Sequence, residues 1–424
     1  MNSNKTDTGK KRIVVVGGGF AGVNFARKLQ RSRDYKVILV DKNNYNYFVP
    51  LLYQVATSFL DPSSISYPFR KLFRGKTIEF RMAEVLRVDP ATRILHLNNG
   101  DLSYDYLVFA AGARSNFFGN ANVEKNAIAM KTVDDALRMR NTLLRSLELA
   151  SIEPDAATRK KLTTIVVTGG GPTGVEVAGM LAEMRKYIIA RDYPELKDAG
   201  GGLYIIDGGK DLLARMSGKT HRQTYDVLSR LGVQIKLNTV VKDYDGELIT
   251  LSTGETIASK NLIWAAGITA HTFDGIPAGS LGIGKRMKTD VYNKVEGLDN
   301  VYAIGDISVQ QTDPLYPDGH PQLAQVAMQQ GKTLARNFIA MSKGRQMTGF
   351  KYFDKGDMAI VGRHGAVVDL FKNKVHVSGP VALFIWLFIH VSSLLNYTNK
   401  MRTLLHWTVA YITKDQSLRM IFRS

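Results

Sequence analysis

The sequence predicts an α/β fold in which one architectural unit is used twice. Three observations carry this. Short β-branched strands run into glycine-rich turns at residues 12–29 and again at 163–184. Each unit is followed by another apolar strand that ends on an aspartate. A separate apolar stretch, VALFIWLFIHVSSLL (381–395), stands near the C-terminus and belongs to neither unit.

The first unit reads RIVVVGGGFAGVNFARKL. Ile13 to Val16 has the short, continuous apolar character of a strand buried on both faces. Gly17, Gly19 and Gly22 form G-x-G-x-x-G, and Val23, Ala26 and Leu29 follow at helical spacing. The next strand, KVILVD, closes on Asp41, 19 residues after Gly22. Each residue has a mechanical reason. The first glycine turns the chain, the second admits a pyrophosphate, and the third packs helix on strand. The helix N-terminus favours the phosphates, and the acid accepts from ribose hydroxyls.

The second unit, TTIVVTGGGPTGVEVAGMLAEM, repeats the pattern with Gly169, Gly171 and Gly174, and with Thr173 inside the turn. Its following strand, GLYIID, ends at Asp207, 33 residues after Gly174 because RKYIIARDYPELKDAGG intervenes. Asp207 is expected to bind ribose, and its charge would repel a 2′-phosphate, favouring NADH over NADPH. Two such units point to two dinucleotides, one flavin and one nicotinamide. Strands ending in small-residue turns, DYLVFAAGA (105–113) and NLIWAAGI (261–268), suit close approach of a cofactor. NVYAIGD (300–306) closes on Gly305 and Asp306, an acid placed to hold a ribityl hydroxyl.

Composition narrows the chemistry. There is no cysteine among 424 residues, so disulfides, thiolate metal sites and cysteine nucleophiles are excluded. The eight histidines show no metal-ligand spacing, and no metal is expected. Lys plus Arg exceed Asp plus Glu by 56 to 38, a formal +18, which favours an anionic partner. No aromatic-interleaved basic run accompanies that charge, so nucleic acid is not the expected partner. The polar, basic N-terminus MNSNKTDTGKKR lacks an apolar export core, so a cytoplasmic enzyme is expected.

The paired glycine motifs, the AAG turns and the Gly305-Asp306 closure resemble the two-dinucleotide-binding flavoprotein reductases over residues 12 to about 340. Many of those pass electrons through cysteines, which this chain lacks. Two further stretches, NYNYFVPLLYQVATSFLDPSSI (44–65) and QLAQVAMQQG (322–331), look like type II NADH:quinone oxidoreductases, the single-subunit, non-pumping respiratory enzymes. The resemblance implies hydride transfer from NADH to FAD, then two electrons to a quinone. It carries the flavin contacts onto Gly17, Gly18, Gly19, Ala21, Gly22, Asp41, Lys42, Ala83, Gly112, Gly305, Asp306, Ala324 and Gln325. The NADH contacts fall on Gly169, Gly171, Thr173, Gly174, Asp207, Ala266 and Gly267. The family's A-Q-x-x-x-Q element falls on Ala324, Gln325 and Gln329, whose amides, four residues apart, share one helix face and would donate to quinone oxygens. Glu176 matches an acid that the family places near the nicotinamide and flavin, although helix capping is its simpler role. Ser58 stands where the family usually has glycine, and Ala111 where it has threonine.

The implied architecture is an α/β protein with two Rossmann-like dinucleotide-binding domains, for FAD and NADH, plus a C-terminal membrane-associating helical region. The expected boundaries are 1–125 (FAD, first segment), 126–267 (NADH), 268–345 (FAD, second segment) and 346–424 (membrane anchoring). As a helix, the fifteen residues of 381–395 reach only about 22 Å, short of a ~30 Å hydrocarbon core. A second apolar stretch, TLLHWTVAYITK, follows a polar break. Trp386, Trp407 and Tyr411 suit a headgroup boundary, with Lys400, Arg402, Lys414, Arg419 and Arg423 toward anionic lipid. The expected setting is peripheral (monotopic) on the cytoplasmic face of the cell membrane, with membrane lipid and quinone as partners and a homodimer left open. The competing expectation is a soluble ferredoxin or rubredoxin reductase, which calls for a polar C-terminal docking face.

Overall fold

The computed structural model describes residues 9–363, 365–413 and 418–421, so the first eight residues of the lead-in, Lys414 and Arg423 lie outside the described residues. In chain order the elements that position the sites begin with β1 (Lys11–Val16), α1 (Phe20–Leu29), β2 (Tyr35–Asp41), β3 (Ile78–Met82) and β4 (Tyr106–Phe109). There follow β5 (Ile128–Ala129), α2 (Val133–Ile152), β6 (Ile165–Thr168), α3 (Pro172–Met184), β7 (Leu203–Ile206), α4 (Gly218–Arg230), β8 (Val233–Lys236) and β9 (Asn261–Trp264). The chain continues with β10 (Val301–Ala303), α5 (Ala324–Ser342), β11 (Asp357–Ile360), β12 (Ala366–Leu370), β13 (Val375–Ser378), α6 (Gly379–Ser393) and α7 (Tyr397–Thr413).

These elements make two compact units. The first comprises Met1–Asn46, Tyr67–Arg114 and Ile268–Phe353; the second comprises Tyr47–Ser66, Ser115–Gly267 and Asp354–Ser424. The segment at 47–66 therefore belongs with the second unit, as does the chain from Asp354 onward.

The first unit holds a five-stranded parallel sheet in the order β10-β4-β1-β2-β3. Val14, Val16, Leu107, Phe109, Val301 and Ala303 fill one core beneath it. The second unit repeats the plan as β5-β9-β6-β7-β8, again all parallel. In both sheets the strand before the glycine turn is central. On one side it pairs with the next strand in sequence, and on the other with one that returns much later. That is a topological switch point, where ligands bind at the carboxyl ends of the strands in open α/β sheets.

In the second unit, β11, β12 and β13 form an antiparallel sheet that leads into α6 and α7. No helix among the described residues is long and apolar enough to cross a membrane. The two helices are turned inside out relative to a soluble surface. Their inward faces carry Ala382, Trp386 and His390, then Asn399, Thr403, Trp407 and Ala410. Their outward faces carry Val381, Phe384, Phe388, Met401, Leu405, Val409 and Ile412, with Phe384 71% and Ile412 75% exposed. The tryptophans expected at a headgroup boundary instead point inward. Trp386 stacks on His390 with 3.7 Å between ring centroids, and Trp407 Nε1 donates to Gln54 Oε1 at 2.7 Å. Around Trp386 the run is apolar on every face and gives no periodic cue to which face is inner, which is why the sequence misassigned it. Arg419 is likewise not directed to lipid: it pairs with Asp192 at 2.6 Å.

Ser58 is fully buried with φ at +62°. Its Oγ has no hydrogen-bond partner. A β-carbon in the left-handed region costs roughly 1–2 kcal/mol, which explains glycine as the usual occupant. Ser58→Gly is therefore expected to stabilise the protein by about 1 kcal/mol, after allowing for glycine's extra chain entropy. A urea midpoint that stays put or falls would show that the position is unstrained.

Candidate functional site

Each unit builds a glycine cradle at the carboxyl edge of its sheet. Gly17 (φ +104°) and Gly169 (φ +108°) turn the chain where only glycine fits: an added Cβ would lie 2.5 Å from Ala110 O and 2.3 Å from Ala265 O. The small-residue turns predicted at 110–111 and 265–266 are thus the surfaces on which the two motifs rest. The third glycines, Gly22 and Gly174, bring the helix against the loop, because a Cβ there would meet Gly17 O and Gly169 O. At the second glycines, Gly19 and Gly171, an added Cβ would meet nothing within 4 Å. That open space beside a helix N-terminus is what an incoming pyrophosphate needs. The residues present therefore fit a dinucleotide in each unit.

The two strand-end acids brace the loops. Asp41 accepts from Gly18 N at 2.6 Å and from Asn43 N at 2.8 Å. Asp207 accepts from Gly170 N at 2.5 Å and from Gly209 N at 2.7 Å. Burial pushes the Asp41 pKa up, while the Gly18 and Asn43 amides and Lys42 pull it back. Every carboxylate oxygen accepts more than one donor, so both acids keep capacity for a ribose hydroxyl. Ala83 is buried and donates its amide to Asp41 O at 3.0 Å. Gly112 (φ +70°) leaves open space beside the Ala110–Ala111 turn. Sequence reasoning missed Asn46, which is buried and donates Nδ2 to Gly18 O at 2.6 Å. Nothing in its neighbourhood marks it, since its partner lies 28 residues away.

Elsewhere in the first unit, Gly305 (φ +78°) turns the chain close to Ala21 in α1: an added Cβ would lie 3.1 Å from Ala21 Cβ. Gln330 Oε1 accepts from Gly305 N at 2.6 Å, and Gln322 Nε2 donates to Asp306 O at 2.8 Å. These two supporting glutamines flank the predicted pair without having been singled out. Burial lowers the pKa of the Arg286 guanidinium, and the charge of Asp306 acts in the opposite direction. Ala324 opens α5, with Gln325 one residue in. Gln329 is held from both sides by Phe353: its Nε2 donates to Phe353 O at 2.9 Å and its Oε1 accepts from Phe353 N at 3.0 Å. One N–H of Gln329 remains for another acceptor.

In the second unit, Thr173 lies exposed in the first turn of α3, not in the glycine turn where the sequence pattern puts it, and Ala266 and Gly267 end the turn after β9. Glu176 does not cap α3. It is buried and accepts from Ile360 N, in β11, at 3.3 Å. Burial raises its pKa to about 8, with the Ile360 amide and the nearby Trp386 indole acting the other way. His390 is buried, and its Nδ1 lies 2.8 Å from Trp386 O. Burial holds the His390 pKa down to about 4, so the imidazole is neutral at physiological pH.

The pyridine nucleotide-disulphide oxidoreductase family pattern matches residues 11–331, spanning both cradles. The type II NADH:quinone oxidoreductase Ndh of Mycobacterium tuberculosis (strain ATCC 25618 / H37Rv) is 32% identical, over 95% of this chain and 89% of that protein. This chain belongs to the type II NADH:quinone oxidoreductases. Another relative of that description, from Haemophilus influenzae, is 27% identical over 90% of this chain and 92% of its own. In fold, this type II enzyme is similar to NDH2 from Plasmodium falciparum in complex with NADH, with a TM-score of 0.88 at 22% identity, covering 98% of this chain and all of that one. Unlike the wider family's name, it carries no cysteine from which to build a disulphide.

Proposed function

We infer that this protein oxidises NADH and reduces a quinone by two electrons without pumping protons, with FAD as its cofactor. The observation that carries the reading is the duplicated cradle, one per unit, in a chain that its relatives match nearly end to end. Bound FAD supplies the two-electron carrier that no side chain of a cysteine-free protein offers. Gly17, Gly18, Gly19, Gly22, Asp41, Ala83, Gly112 and Asp306 would hold it in the first unit. Gly169, Gly171, Gly174 and Asp207 would hold NADH in the second, with Asp207 setting the preference over NADPH. Gln325 and Gln329 would orient the quinone by donating hydrogen bonds. Glu176, protonated at neutral pH, would serve as an uncharged group where an anion is excluded.

The outward apolar faces of α6 and α7 would lie in the lipid boundary on the cytoplasmic face of the membrane, with Lys400 and Arg402 meeting headgroups. The support is the inversion itself: the inner faces hold His390, Asn399 and Thr403 while phenylalanines and aliphatic residues face out. Such a contiguous apolar surface is costly in water and favourable in lipid. A polar docking face for a protein electron carrier is not what these helices present.

The test is NADH oxidation by the purified yellow protein with a water-soluble quinone. Turnover with the quinone but not with a ferredoxin supports the reading, and no turnover with any quinone overturns it. Phe384→Asp combined with Phe388→Asp is expected to release the protein from anionic vesicles while turnover with the soluble quinone persists. Undiminished sedimentation with vesicles would place the anchor elsewhere.

A further inference from the structure

Phe118 is a bulky residue at φ +53°, and its side chain is 67% exposed. Neither property is free: the backbone strains an L-residue, and the ring forgoes burial. Its neighbour Phe117 packs normally against Trp264 in the core of the second unit, with ring centroids 5.6 Å apart. The Phe118 ring touches the same Trp264 only from outside, tilted at 59° with ring centroids 6.4 Å apart, and the rest of it faces solvent.

Three hydrogen bonds hold the conformation. Asn116 N donates to Gly267 O at 3.0 Å, Trp264 Nε1 donates to Asn116 O at 2.8 Å, and Phe118 N donates to Asn116 Oδ1 at 2.9 Å. The strap they form is clipped onto the turn that follows β9. The Phe118 ring lies over Gly267 so closely that a Cβ there would be 3.0 Å from its Cζ. One residue earlier in the same turn are the Ala265–Ala266 atoms against which Gly169 packs. Phe118 thus presents an open aromatic face beside the glycine cradle, on the β9 side of the switch point.

Which half of a dinucleotide would meet it follows from the sheet order. Asp207 directly follows β7, on one side of β6, and on that reading would take the adenosine ribose. The pyrophosphate sits at Gly171, so the other half of the molecule runs over the carboxyl end of β9, on the opposite side. We propose that Phe118 is a positioning residue for NADH, its exposed ring packing against the nicotinamide-riboside half at the Ala265–Gly267 turn. This rests on the reading of the second unit as the NADH site.

The experiment compares ligands that share the adenosine diphosphate half and differ in the nicotinamide. In steady-state assays of the full holoenzyme, Phe118→Ala is expected to raise the KM for NADH and the Ki of NAD+ about tenfold, the scale of one aromatic stack. The Ki of ADP-ribose as a competitor should stay within about twofold, and Phe118→Tyr should restore both nicotinamide ligands. Because glycine has no Cβ to strain at φ +53°, Phe118→Gly should not lower the melting temperature while weakening NADH binding in the same way, which separates lost binding from lost folding. Equal weakening of all three ligands would mean a structural role, and no change in any would place Phe118 outside the site; either result overturns the proposal. If the unaltered protein is inhibited by neither NAD+ nor ADP-ribose, the NADH assignment of the unit fails as well.

Discussion

Gly174→Ala is expected to leave a protein that purifies yellow and barely oxidises NADH. The added Cβ would stand 1.8 Å from Gly169 O, a backbone atom that moves only if the whole loop moves. Displacing a bound reactant by about 1 Å costs on the order of 100-fold in rate, so kcat/KM for NADH should fall at least that far. The cradle of the first unit is untouched, so flavin absorbance should remain. Gly22→Ala makes the mirror-image lesion, 1.9 Å from Gly17 O, and should yield colourless protein. Both variants are read by the visible spectrum of the purified protein and by NADH kinetics. Flavin loss from Gly174→Ala, with flavin retained in Gly22→Ala, would reverse the assignment of the two units.

Glu176→Gln should flatten a loss of stability that the unaltered protein shows between pH 6.5 and 8. Folded Glu176 titrates at about 8 against an ordinary 4.5. Between those values the folded protein keeps a proton that the unfolded chain has released, so stability falls by about 1.4 kcal/mol per pH unit. His390 works the other way: about 4 folded against an ordinary 6.5. Between those values the unfolded chain binds a proton that the folded protein does not, so stability rises with pH at the same slope. The two effects cancel between pH 4.5 and 6.5, and Glu176 alone acts from 6.5 to 8, a fall of roughly 2 kcal/mol. Urea midpoints at pH 6.5 and 8 check this directly. A fall of the same size in the glutamine variant would mean that another group is responsible.

Glu176 also shows where sequence reasoning stops. The glycine spacing, the paired strands and the acids at Asp41 and Asp207 are local, and local signals survive in one dimension. Glu176 sits five residues into α3, so its neighbourhood reads as a helix start. Its actual partner, Ile360, is 184 residues away in an antiparallel sheet that no periodicity links to it. Asn46 and Gln330 escaped for the same reason, since each supports a loop through a contact distant in sequence. The C-terminal helices were legible as apolar but not as oriented. In α6 hydrophobic side chains stand on every face, and in α7 polar residues fall on both sides: Asn399 and Thr403 turn inward while Arg402 and Thr408 are exposed.

That orientation bears on how a water-soluble form could be made. Besides the Trp407 bond to Gln54, Asn399 Nδ2 donates to Ser66 O at 2.9 Å and Thr403 Oγ1 contacts Ser64 O. The segment at 47–66 thus takes its closing contacts from α7. Cutting the chain before α6 would strip cover from that segment and strand its acceptors, at about 1–3 kcal/mol for each one left buried. The greasy exterior and the polar clasp are opposite sides of the same two helices. The outer side tolerates repainting with charge, whereas the inner side is a fastening that the enzyme needs in place.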